Sequence, residues 1–219
     1  RKLRKGSLLS CKPYTFFSFD DDFSPIDALR EGVRILGENS NYSSANGQVL
    51  YLPKGKSRNI PRVPIIGKGY LSEDPNAVVR IREFLSSTRK RNPLFNLWRT
   101  KVLKEIWTPI PDVPWTKFIE VLFDHIAISS GPTILLDRIF EFRHIDYNRA
   151  AYTAEALPQF GSGLDKDILD PILMKGLAES ASFVSPWLTK HGALKQEEAE
   201  EYFIRTALAT HAGRLLAQL

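Results

Sequence analysis

One cysteine, Cys11, and one methionine, Met174, stand among the 219 residues. A lone cysteine excludes an internal disulfide, and no Cys/His set has zinc-ligand spacing, so the chain fits a reducing intracellular compartment: cytoplasm, nucleus or organelle matrix. Long apolar runs are missing too. The longest, Phe118 to Ile128, is interrupted by Glu120, Asp124 and His125 and is too short to span a bilayer. No secretory leader is visible. The chain opens on Arg1-Lys2-Leu3-Arg4-Lys5 rather than on methionine, which fits a trimmed or processed chain. No internal repeat is apparent.

Complete catalytic and cofactor motifs are likewise missing. Gly55-Lys56-Ser57 matches the end of a phosphate-binding loop, but Leu50 stands where the first glycine is needed. Pro61 also follows where a helix should begin, so the reading is a basic turn. Glu141 and His144 have the three-residue spacing of a carboxylate–histidine metal pair, yet a dimetal bundle needs a second pair and two more glutamates. His125, in the most apolar segment, reads as a satisfied core histidine. Gly161-Ser162-Gly163 lacks the outer glycine of a nucleophile elbow, since residue 160 is Phe. Asp20-Asp21-Asp22 and Asp165-Lys166-Asp167 match no calcium-loop spacing and precede helix starts, where acids suit the dipole. The Ala127–Gly131 spacing imitates a helix-turn-helix, but Pro132 and Asp137 break its register. No catalytic residue, cofactor or metal ligand is therefore assigned.

What is present is an uneven charge. Residues 1–109 carry 20 Lys+Arg against 10 Asp+Glu, and residues 110–219 carry 10 against 15. A basic half joined to an acidic one points to contact with a polyanion or an acidic surface. Most of these cations fall in three groups: the start (Arg1, Lys2, Arg4, Lys5, Lys12), a Pro/Gly-rich stretch (Lys54, Lys56, Arg58, Arg62) and two helical segments (Arg80, Arg89, Lys90, Arg91, Arg99, Lys101, Lys104). The last two groups are the candidate binding residues for nucleic acid or an acidic protein.

The hydrophobic pattern predicts a mainly α protein. Its fold class is a multi-helix bundle of about seven to nine helices, with an irregular basic N-terminal region carrying at most a small β element. Residues 1–23 read as a basic and aromatic arm, its charged start mobile. A helix opens at Ser24-Pro25 with Ile26, Leu29, Val33 and Leu36 inward. Residues 38–69 read as a long loop, with Asn46-Gly47 a turn and at most a short strand over 48–52. Helices follow from Asp74, from Pro93, over 115–128, 133–142, 146–157 and 170–184, in a short piece after Pro186, and over 196–216. The proline cluster at 108–114, where the charge changes sign, separates a basic region (24–109) from an acidic helical domain (110–219).

The function these features imply is a non-catalytic binding protein, a subunit or adaptor of a larger assembly. The alternative is a helical ligand-responsive transcriptional regulator with an apolar pocket in the C-terminal bundle. Homo- or hetero-oligomers would form through the C-terminal helices.

Overall fold

The computed structural model describes residues 2–18, 22–54, 65–67, 69–86, 92–110, 116–146, 171–192 and 194–216. They form two units, Arg1–Ile145 and Asp146–Leu219.

The first unit is built on a six-stranded sheet, so the expectation of a mainly α bundle is overturned. Its strands are β1 (Tyr14–Thr15), β2 (Asp22–Phe23), β3 (Ser44–Lys54), β4 (Ile65–Gly67), β5 (Leu97–Arg99) and β6 (Thr133–Asp146). The order is β1-β5-β3-β6-β2, with β4 pairing β3 alongside β5. β1 runs antiparallel to β5 (Tyr14 opposite Arg99), β5 to β3 (Leu97 opposite Ala45), β4 to β3 (Ile66 opposite Leu50) and β2 to β6 (Asp22 opposite Arg143). At the centre β3 and β6 run parallel. Ser43 bonds Pro132, Ser44 bonds Thr133 and Gln48 bonds Asp137, each pair 89 residues apart. A constant separation requires both strands to advance in the same direction.

Two properties hid this sheet. Four of its strands are two or three residues long, too short to display an alternation. The two long ones lie at the centre and do not alternate cleanly: β3 is buried without a break from Ser44 to Gly47, and β6 exposes Asp137 and Arg138 side by side between buried Leu136 and Phe140. Over 133–142, Leu136 and Phe140 are buried four apart, a spacing that serves a helix face and a strand face alike. Asn46-Gly47 is not a turn; both are buried inside β3. Gly47 is required there because a Cβ would stand 2.5 Å from the Arg138 carbonyl oxygen on β6. The segment expected as one long loop over 38–69 contributes β3 and β4.

One sheet face is covered by α2 (Ile26–Glu38). Its Ala28 and Leu36 close a core with Ala45, Leu97, Leu136 and Phe140. The helix is rotated from the expected face: Ile26 and Val33 are exposed, and Gly32 allows close approach to Leu97. Pro25 occupies the N-cap, and the Asn39 side chain donates to the Ile35 carbonyl at the other end. The opposite face, to which Trp98 projects, is covered by α3 (Ala77–Ser86), α4 (Thr100–Trp107) and α5 (Thr116–Ser129). Phe123 of α5 meets Trp98 edge-on at 6.2 Å and Trp107 at 5.0 Å. The helix expected from Pro93 is one 3₁₀ turn, Pro93–Phe95, followed by β5 and then α4.

The second unit contains two helices packed on each other, α6 (Pro171–Gly192) and α7 (Gln196–Leu216). The break expected at Ser185-Pro186 does not occur. α6 continues through Pro186, with Ser185 buried and accepting from the Gln196 side chain. Ala181, Val184 and Leu188 are buried from α6, and Ala199, Phe203 and Ala207 from α7. The helix expected over 146–157 lies outside the described residues after Asp146, which ends β6. Among the described residues no helix is long and apolar enough to cross a membrane.

Candidate polyanion-binding face

The start of the chain is not an irregular arm. Residues Lys2–Leu9 form α1, and the β1–β5 pair determines where it lies. α1 precedes β1 and α4 follows β5; because the two strands are antiparallel, the two helices leave the same end of the sheet and pack side by side. A chain of hydroxyls joins them: Ser10 Oγ to Thr15 Oγ1 at 2.8 Å, and Thr15 Oγ1 to Thr100 Oγ1 at 2.8 Å. The Thr100 N–H also donates to the Pro13 carbonyl at 2.9 Å. Inward, α1 buries Ser7, and α4 buries Leu103, Ile106 and Trp107.

Their other faces carry the charge. Lys2, Lys5, Lys12 and Lys101 are exposed, and Arg4 and Lys104 are half-buried. Against these six cations, residues 2–12 and 100–107 contain one carboxylate, Glu105. Of the candidate binding residues, Lys101 and Lys104 belong to this face.

Two other candidates are turned into the fold. Arg80 is buried and grips four carbonyls: Ile128 (2.9 Å, from Nε), Ser129 (2.8 Å, Nη2), Asp74 (2.5 Å, Nη1) and Pro75 (3.0 Å, Nη1). Ile128 and Ser129 end α5, so Arg80 caps orphaned carbonyls at the negative end of that helix. Burial lowers its pKa, with Asp74 acting in the opposite direction. Arg99 does the same for α2, donating to the carbonyls of Tyr42 (2.7 Å), Leu36 and Asn39 (2.8 Å) while lying over the Tyr14 ring. Sequence spacing places both arginines off the apolar stripe, which resembles solvent exposure when the partners are backbone oxygens distant in sequence. Lys56, Arg58, Arg62, Arg89, Lys90 and Arg91 lie outside the described residues, as does the side chain of Lys54.

Other ionisable groups are engaged or buried within the first unit. Arg143 on β6 bonds Asp22 of β2 (3.1 Å) and Glu141 (2.8 Å), with its guanidinium 4.0 Å from the Phe95 ring centroid. Burial pulls the Arg143 pKa down, but the Asp22 hydrogen bond and the charges of Glu141 and Asp22 outweigh it and raise the net value. Tyr42 donates to Glu73, and that bond, with burial and the Glu73 charge, raises the phenol above its usual 10.0. Asp124 and His125 are buried within α5. Among the described residues, no three His, Cys, Asp or Glu side chains are grouped to hold a metal ion. Cys11 is exposed and unpaired.

Compared with protein-family models and with curated proteins, the chain matches none.

Proposed function

We infer that this protein is a non-catalytic polyanion-binding subunit or adaptor, and that the α1–α4 face is its contact surface. The observation that carries the reading is the packing of α1 on α4, which sets five cations on two adjacent helices, with Lys12 just beyond α1 as a sixth and one carboxylate among them. Lysines and arginines gathered in this way bind by displacing the counterions condensed on a polyanion, so the affinity depends on charge density and salt more than on base or residue sequence. The hydroxyl chain through Ser10, Thr15 and Thr100 holds the two helices in fixed relation. This reading assigns the protein to a reducing intracellular compartment, where exposed Cys11 remains a thiol.

The test is binding to poly-uridine RNA, generic duplex DNA and polyglutamate over a salt series. Affinity is expected to fall with rising salt, with a logarithmic slope steeper than about −3 for the nucleic acids. The Lys101→Glu/Lys104→Glu variant should lose about tenfold or more for every polyanion, since each charge is reversed rather than removed. Affinity that ignores salt, or a variant that binds as tightly as the parent, overturns the reading.

A further inference from the structure

We propose that the partner of the α1–α4 face is an acidic amphipathic helix of another protein, one that presents leucine-like side chains between its carboxylates. This rests on the polyanion reading of the same face and names its ligand. On α1, Lys2, Lys5 and Leu9 follow each other at spacings of three and four and are all exposed, opposite buried Ser7. Leu9 is 71% exposed, and Leu8, on the flank, is 44% exposed. Two bare leucines set among lysines match a ligand with both negative charge and aliphatic groups.

A nucleic acid lacks the second property and calls for a different surface. Bases stack on exposed rings, and the rings near this face are turned away. Trp107 is buried, Tyr14 lies beneath the Arg99 guanidinium and Phe16 meets Phe140 edge-on at 5.8 Å. An anionic membrane would require a wider apolar face than two leucines on an eight-residue helix whose other side is docked in the fold.

The experiment titrates the full chain against a labelled helical Glu-rich peptide with leucines at i, i+3, i+4 and i+7. The comparison ligands are the same peptide with serines for leucines, labelled poly-uridine, and vesicles of phosphatidylserine and phosphatidylcholine. The Glu/Leu peptide should bind about tenfold tighter than its serine counterpart, the scale expected for covering two exposed leucines. Leu8→Ser/Leu9→Ser should abolish that advantage and leave poly-uridine binding and the circular dichroism spectrum unchanged, both side chains being exposed. Equal binding of the two peptides, or preference for poly-uridine or vesicles, overturns the proposal. Lys101→Glu/Lys104→Glu separates the two failures. If it weakens every polyanion while the leucine advantage is missing, the basic-face reading stands and only the named partner falls. If it weakens none, both fall.

Discussion

Arg80 and Arg99 are long cations that end on carbonyl oxygens instead of in solvent. Each closes the C-terminus of a helix, α5 for Arg80 and α2 for Arg99, and each ties its helix to another part of the first unit. The Arg80 fork reaches four oxygens from three directions, which an ammonium group cannot reproduce. Arg80→Lys is therefore expected to be nearly as damaging as Arg80→Met. Each should cost on the order of 3 kcal/mol in urea unfolding, because buried carbonyls are left unsatisfied. A loss below about 0.5 kcal/mol would place Arg80 among ordinary surface cations. The identity of these residues was legible in the sequence, but their partners were not. The oxygens Arg80 meets on α5 lie 48 and 49 positions away, and no local pattern encodes such a contact.

The elements differ in how far local pattern defines them. α5 was readable because its apolar content exceeds what one helix face can hold, and it lies buried from Leu122 to Ser129. α2 was readable as a helix but not in its rotation, which depends on Gly32 meeting Leu97, a residue of distant β5. β3 and β6 were not readable, because neither shows a clean alternation of buried and exposed residues along the chain. The parallel β3–β6 contact supplies a direct test at Gly47. Gly47→Ala puts a methyl group against the Arg138 carbonyl, backbone that cannot turn aside. We expect a loss of about 2–3 kcal/mol in chemical unfolding. An alanine variant as stable as the parent would contradict the close approach of these two strands. The candidate face was partly legible. Its lysines could be counted, but the helix that carries three of the six cations was expected to be a mobile arm.

At the scale of the whole molecule, the charge follows the structural division. Unit one carries 23 Lys+Arg against 15 Asp+Glu, and unit two carries 7 against 10. α5 and β6 follow the sign change at 108–114 in sequence but fold with the basic unit. The six strands, apart from Asp146 at the end of β6, the helices on both sheet faces and all six cations of the α1–α4 face lie within Arg1–Ile145. A fragment ending at Ile145 is accordingly expected to unfold in one cooperative transition and to keep the salt-dependent binding of the full chain within about threefold. A fragment that shows no such transition in circular dichroism would make the second unit necessary to the first.

The central parallel pair also governs how the protein is born. β3 is synthesised long before β6, its partner 89 positions downstream, so the sheet has no middle while translation proceeds across the intervening helices. During that interval Trp98 is outside the ribosome without α5, and Leu97 without Leu136 and Phe140 of β6. Closing so long a loop is slow, and the exposed half-sheet is the form most open to aggregation. A nascent chain of this design is expected to be at its most aggregation-prone until residue 146 has emerged.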